Sequence, residues 1–474
     1  MSASNFPFEN SLSLDNMLLD TDSYKYSHPK QFPRGTEYVF VYVEPRKANG
    51  PIDQVVFFGL QVELAQLAGQ VITQEMLDEA TPFIEAHGLT LYVEMFQHII
   101  DEHGGHLPIR IDALAEGTIT PVSVPQMRIV NTDPKCWALP GFLETRLLRS
   151  IWYPSTVATI SNYVVNQIRN RLIQTDGSDD GFQFKLHDFG ARGASSGESA
   201  GIGGAAHLVN SMGTDTVAAL VYARNYYGAD MAGFSIPATE HSTVTSFGEY
   251  GELEFMRRFL TENPAGIIAC VSDSYDIYKA VSEYWGEELR EQILGRDGVL
   301  VVRPDSGDPM VVVPRVLEAL MDKFGYTETP NGFKLLPSQI RIIQGDGINK
   351  DSIVKIMDKL IEKRLAIGNI AFGMGAGLLQ KIDRDTFSYS MKTSAVCVKG
   401  DWRDVYKDPI TARGSKSSKR GRMGVELQKN GEFAVRPIDE IDPQFDLMQN
   451  VFLNGEITNL QTFDQVRKRV GLLG

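Results

Sequence analysis

From about residue 182 to residue 377 the chain repeats one pattern: an unbroken apolar run that ends in a polar or glycine-rich cluster. The runs are FQFKLHDFG, ending at Asp188 to Gly190; GFSIPATEHS, ending at Glu240 and His241; and IIACVSDSYD, around Asp273. VLVVRPDSGDP follows with Arg303 and Asp305, then IRIIQGDG at Gly345 to Gly347 and IAFGMGAG at Gly373 to Gly377. The last five begin about 30 to 40 residues apart, the length of one strand plus one crossover helix. Continuous apolar runs suit parallel strands buried on both faces. Reactive residue types at each strand's C-terminal end suit a β/α barrel, whose active site forms on that rim. The pattern therefore predicts one composite site built from many strand ends.

Outside this region the periods are mixed. EYVFVYVEPR reads as a strand, while FFGLQVELAQLAG and QEMLDEATPFIEAHG read as helices. GTITPVSVPQMRIVNTDP reads as strands broken by Pro and Asp turns. SNYVVNQIRNRLI predicts a helix capped by Ser161, with Val164, Val165, Ile168 and Leu172 on one face. DSIVKIMDKLIEKRLA predicts a crossover helix burying Ile353, Ile356, Met357, Leu360 and Ile361. After about residue 390 short strands and loops return; a closed barrel has no room for them, so they are expected to rejoin the first region. The expected fold is α/β: a barrel over 161–390, and a mixed α+β domain formed by 1–160 with 391–474.

Bulk properties narrow the function classes. A chain of 474 residues with 43% hydrophobic and 22% charged residues has an ordinary globular composition. No apolar stretch reaches the ~20 residues of a membrane-crossing helix, and the first twenty residues lack a signal-peptide pattern. A net charge of −14 argues against a broad nucleic-acid surface. An anionic substrate must then be held by local clusters of Arg, Lys and backbone N–H groups. Cys136, Cys270 and Cys397 are far apart and odd in number, which fits a reducing cytoplasm rather than a disulfide scaffold or a Cys-type zinc site.

Each motif carries a plain reading beside the chemical one. GIGGAA at 201–206 matches a dinucleotide fingerprint in spacing but follows a polar segment, so a tightly packed small-residue helix is the better reading. QGDG and GMGAG are strand-to-helix turns or, being adjacent on the rim, a phosphate cradle of backbone N–H groups. Arg303 and Asp305, two apart in extended chain, point the same way; they hold a polar ligand together or pair with each other. Asp273, Asp276 and Asp346 add carboxylates suited to sugar hydroxyls or Mg²⁺. His241, next to Glu240, is a catalytic or a structural histidine. His103 and His106, in HGGH, have the wrong spacing for a helical metal pair. RGSKSSKRGR at 413–422 is solvated surface or a phosphate-attracting lid.

Taken in order, these segments resemble the nicotinamide phosphoribosyltransferase family. The resemblance runs through TDSYKYSHPKQFP (21–33), GHLPI, NTDP, WYPSTVAT and KLHDFGARGASSGESAGIGGAAHLVNSMGTDTVA. It continues through SIPATEHST, VSDSYDIY, RPDSGDP, KLLP, IQGDG, AFGMGAGLLQK and YKDP, nearly the whole chain. It implies the barrel of type II phosphoribosyltransferases, a pentosyl transfer from phosphoribosyl pyrophosphate to nicotinamide in NAD salvage, and a homodimer with two shared active sites. It assigns the pyridine ring to Phe189 and to the partner subunit's Tyr24, with Asp22 beside it, and the carboxamide to Asp215 and Arg303. A carboxylate at Asp215 accepts from an amide and repels the acid of nicotinate. Around the ribose the resemblance sets Asp305, Gly345 and Asp346; near metal and sugar, Asp273; at the 5′-phosphate, Gly375 and Ala376. Arg46, Arg192, Arg384 and Lys392 match its phosphate cations. His241, with Glu240 beside it, matches the histidine that ATP phosphorylates, so Mg²⁺ and ATP are the implied companions. The family reads GSGGG where this chain has GMGAG, so Met374 and Ala376 replace smaller residues. The rival readings are a nicotinate-preferring enzyme on the same fold, a non-catalytic scaffold, and a metal-dependent aldolase or hydrolase barrel.

Overall fold

The computed structural model describes residues 11–412 and 418–473. The chain forms two compact units, one of the residues up to Thr156 with Asp383–Arg469, the other of Val157–Ile382 with the residues from Val470.

The second unit holds six parallel strands: β1 Leu186–Asp188, β2 Gly213–Thr214, β3 Ala265–Val271, β4 Asp297–Arg303, β5 Ile340–Gln344 and β6 Ile370–Met374. Their spatial order is β2-β1-β6-β5-β4-β3. The run GFSIPATEHS, expected as a strand, is not a regular one. It makes single parallel bridges, Phe234 to Gly213 of β2 and Ala238 to Ala269 of β3. The N–H of Phe234 donates to Met212 O (2.7 Å) and that of Ala269 to Pro237 O (2.9 Å). One irregular stave thus joins both edges of the sheet and closes the ring. The reason is chemical: Pro237 has no N–H, so a continuous ladder is interrupted there. Thr239 compensates, its hydroxyl oxygen accepting from Val271 N–H at 2.9 Å.

Strand alternation sorts the apolar residues to two faces. Ile268, Leu300, Ile342 and Phe372 are at most 1% exposed. Ala269, Val301 and Ile343 form a second cluster with Phe189, Ile236, Val299 and Ala371 packed on it. Burying each large side chain stabilises the fold by about 1.5–3 kcal/mol. Cys270, inside β3, is fully buried among them.

The connections are helical: α1 Gly197–Leu208, α2 Val217–Tyr227, α3 Glu252–Glu262, α4 Pro309–Phe324 and α5 Lys350–Glu362. α1 contains the GIGGAA motif. A Cβ on Gly201 would stand 2.4 Å from the Tyr222 ring, and one on Gly204 2.6 Å from Ala219 Cβ. Those glycines let α1 and α2 approach closely, as the packing reading expects. α5 opens on a reciprocal Asn349–Ser352 cap and buries Ile353, Ile356, Met357 and Leu360.

One helix expectation needs correction. Ser161 caps nothing; it lies inside a 33-residue helix, Glu144–Asp176, which the unit boundary divides at Thr156. Its hydroxyl meets His207 Nδ1 at 2.9 Å instead. The apolar face from Val164 to Leu172 is buried as expected.

The first unit is built on a seven-stranded antiparallel sheet. Its order is Asp401–Asp404, Ser390–Val398, Thr36–Glu44, Met127–Asn131, Ile109–Ala113, Gln449–Leu453 and Glu456–Ile457. The segment after residue 383 therefore supplies strands to the sheet begun by Thr36–Glu44.

Candidate active site

Because strands β1 to β6 are parallel, their C-terminal ends share one rim. Just past β1, Phe189 packs on the cluster of Ala269, Val301 and Ile343. Its N–H donates to Met374 O at 3.1 Å. Gly373 makes room for its ring, since a Cβ there would lie 2.0 Å from Phe189 Cε2; a Cβ on Gly345 would lie 3.6 Å from the ring, in ordinary contact. The same Gly345 position lies 3.4 Å from Asp305 Oδ1. Phe189, Gly345 and Asp305, from three different strand ends, therefore converge.

Asp215 follows β2, and its N–H donates to Asp188 O at 2.9 Å. Its exposed carboxylate accepts the Ser235 hydroxyl at 2.5 Å. Ser235 comes from the irregular stave and was not singled out in the sequence; only the folded ring brings it to Asp215. Asp188 is fully buried, and burial pushes its carboxyl up to about 6, against the hydrogen bond from Gly190. Gly190 N–H donates to it at 2.7 Å, which fixes the turn that carries Phe189.

Arg303 and Asp305 approach to 3.7 Å across the end of β4, as extended residues two apart should. This contact is loose, and buried Arg303 Nε has no hydrogen-bond partner among the described residues. A buried, unsatisfied guanidinium nitrogen is costly unless a ligand acceptor completes it.

His241 opens a one-turn helix, and its Nε2 lies 3.0 Å from Asp273 Oδ1 beyond β3. The carboxylate that meets His241 is thus Asp273, not the adjacent Glu240, which accepts the Ser242 hydroxyl. The Asp273 side chain is 3% exposed and the His241 ring 46%, so the pair has an anchored and an open member. Behind it stands buried Glu252 of α3. Burial raises its carboxyl to about 7, Lys279 opposes the rise, and Asp273, Asp276 and Glu249 add to it. Asp276 is not a free rim carboxylate: it caps a helix by accepting from Tyr278 and Lys279 N–H.

Gly375 and Ala376 lie beyond β6, at the start of a single helical turn. Met374 is fully buried, and its Cε lies 3.4 Å from where a Cβ on Gly377 would stand. A Cβ on Gly193 would lie 3.3 Å from the Ala376 methyl. Asp346 and Arg192 are exposed on their turns.

The remaining predicted residues belong to the first unit. Asp22 exchanges hydrogen bonds with Thr145. Tyr24 is 54% exposed, beside a cavity of about 250 Å³ lined by Lys25, His28, Phe32, Trp137 and Phe142. Arg46 approaches buried Glu44 at 3.9 Å. Lys392 lies opposite Tyr42 in the sheet, its pKa lowered by burial and by Arg46 and Lys407. Lys419 pairs with Glu44, whose carboxyl burial pushes up. Arg46, Lys392, Lys407 and Lys419 thus share one basic cluster, and Lys419 departs from the solvated-surface reading of 413–422. Residues 413–417 of that segment lie outside the described residues. Arg384 is half-exposed beside Asp385. No helix among the described residues is long and apolar enough to cross a membrane.

Two solved structures share this architecture over almost the full chain. Nicotinate-nucleotide pyrophosphorylase from Pyrococcus furiosus matches at TM-score 0.63 and 16% identity, covering 99% of this chain and 97% of its own. Human nicotinic acid phosphoribosyltransferase matches at TM-score 0.56 and 16% identity, covering 96% and 93%. The fold is that of the type II phosphoribosyltransferases.

Sequence comparison is more specific. The model of the nicotinate phosphoribosyltransferase family matches residues 184–456, and that of the nicotinamide phosphoribosyltransferase N-terminal domain matches residues 16–111. A nicotinamide phosphoribosyltransferase of Xanthomonas campestris is 47% identical over 96% of this chain and 98% of its own. Another, of Acinetobacter baylyi, is 32% identical over 96% and 97%. The chain belongs to the nicotinamide phosphoribosyltransferase family.

Proposed function

We propose that this chain transfers the 5-phosphoribosyl group of phosphoribosyl pyrophosphate to the ring nitrogen of nicotinamide, giving nicotinamide mononucleotide and pyrophosphate, a salvage step toward NAD. The observation that carries the choice of pyridine is the exposed Asp215 carboxylate held by Ser235. It accepts from a carboxamide NH₂ and repels a nicotinate carboxylate. The 47% identity to a relative of that name supports the same choice.

In this reading Phe189 offers one ring face to the pyridine, and the partner subunit's Tyr24 the other. Asp22 sits beside Tyr24, and Arg303 completes its donor set on the amide oxygen. As pyrophosphate leaves, positive charge grows at the ribose and negative charge on the departing oxygens. Asp305 and Asp346 stabilise the first. Arg192, Arg46, Arg384 and Lys392 neutralise the second. The N–H groups around Gly345, Gly375 and Ala376 suit the ribose and its 5′-phosphate. Mg²⁺ enters on the pyrophosphate as part of the substrate; Asp273, Asp305 and Asp346 offer the hard oxygen donors it takes.

Asp273 holds His241 at Nε2, which leaves Nδ1 as the nucleophilic nitrogen. Attack of Nδ1 on the γ-phosphorus of ATP, with ADP leaving, would place a phosphoimidazole near the pyrophosphate site. Glu240 stands next in the chain as an added carboxylate. We place the reaction in the cytoplasm, in keeping with three buried free cysteines.

The test is product formation from nicotinamide, phosphoribosyl pyrophosphate and Mg²⁺, with nicotinate in parallel, and with and without ATP. Nicotinamide mononucleotide as the dominant product supports the assignment. Turnover of nicotinate alone transfers it to the acid-specific branch, and turnover of neither pyridine favours a scaffold.

A further inference from the structure

The helix Val93–His103 of the first unit turns two histidines toward the segment that follows strand Met127–Asn131. His98 Nε2 lies 2.9 Å and His103 Nε2 2.8 Å from the same oxygen, Asp133 Oδ2. Three residues on, Cys136 is fully buried. One ligand atom from each of these four side chains lies within 4.8 Å of all the others. None of them belongs to the barrel rim. The HGGH motif contributes only His103; His106 turns instead to Gly455, where a Cβ would lie 2.6 Å from its Nδ1.

We infer that His98, His103, Asp133 and Cys136 form a structural zinc site. The ligand chemistry is that of zinc: two imidazoles, one thiolate and one carboxylate, the four ligands of a closed structural site. Hydrogen bonding alone accounts for the His–Asp–His contact but leaves the buried thiol at the same centre without a purpose. With Zn²⁺ bound, the thiolate and the carboxylate neutralise the ion, and the half-buried centre carries no net charge. Tetrahedral ligands at zinc distances stand about 3.3 Å apart, so each His–Asp pair has to open by about half an ångström. The other carboxylate oxygen, Oδ1, accepts Lys135 N–H at 2.8 Å, which orients the group as metal-bound carboxylates usually are. With four protein ligands the site has no open position. Its role is therefore to clamp the helix to the loop; it supplies no reaction chemistry.

The full-length protein, stripped with a chelator and dialysed, is titrated with Zn²⁺ and, separately, Co²⁺. Expected are one zinc per chain by elemental analysis, a higher melting temperature with zinc, and a near-ultraviolet thiolate-to-cobalt charge-transfer band. His103→Gln and Cys136→Ser are each checked for native circular dichroism, and each should weaken zinc binding about tenfold or more. The Cys136→Ser protein should also lose the cobalt band while its His103-dependent binding persists in weaker form. Zinc uptake equal in the parent and both variants, or a cobalt spectrum with no thiolate band, overturns the assignment.

Discussion

In the proposed reading, Asp215 decides the choice of pyridine. Replacing it with Asn removes the charge that repels an acid while keeping an amide-sized group. Loss of a charge-assisted hydrogen bond costs about 1.5–3 kcal/mol, so kcat/KM for nicotinamide should fall about 10- to 100-fold. The ratio of nicotinamide to nicotinate turnover should fall with it; an unchanged ratio would remove Asp215 from the specificity argument. Glu252 gives a second residue-level prediction. Its carboxyl titrates near 7 in the folded chain against an ordinary 4.5, so ionising it costs more folded than unfolded. Its favourable share of stability is whole below pH 4.5, shrinks as pH rises from 4.5 to 7, and is gone above that. Glu252→Gln should therefore stabilise the protein at pH 8 by about 1–2 kcal/mol after allowance for solvent screening, and the gain should vanish near pH 4.5. Denaturation curves of both proteins at the two pH values make the comparison.

The elements carry the aromatic platform. Phe189 is placed by the turn after β1 but owes its space to β6, where Gly373 faces its ring. Gly373→Ala would put a methyl 2.0 Å from Phe189 Cε2, which displaces the ring and costs about 1–3 kcal/mol of packing. The expected result is a raised KM for nicotinamide with overall secondary structure retained, measured by steady-state kinetics and circular dichroism; an unaltered KM would show that the ring is not part of the pyridine site. These relations mark what was readable from the chain. Five of the six regular strands, or the turns that follow them, coincide with long apolar runs, because burial on both faces writes an unbroken signal. β2 was not legible, since two residues carry no period, and Asp215 was found only through resemblance. The stave around Pro237 looked like a strand because its apolar pattern is intact, although its missing N–H breaks the ladder. Ser161 imitated a cap because the preceding helical segment contains Pro154, a usual helix breaker. The partners of His241 and His103 were hidden for a simpler reason: each lies about thirty residues away, and adjacency in sequence pointed to Glu240 and His106.

At the scale of the whole molecule, the proposal needs two copies of the chain, since it takes Tyr24 from the partner subunit. A Tyr24→Ala protein and a His241→Ala protein, each impaired alone, should recover part of the activity when mixed under conditions of subunit exchange. Heterodimers then contain one site with both residues intact. Absence of recovery, with exchange verified by mass, would contradict a shared site. The central claim is that separate strand ends assemble one pocket for a pyridine amide beside an activated sugar. Its most direct test is the crystal structure of the protein soaked with nicotinamide. The account predicts ring density against the face of Phe189, with the carboxamide between Asp215 and Arg303. Density for the ring elsewhere, with the space over Phe189 occupied only by solvent, would contradict it.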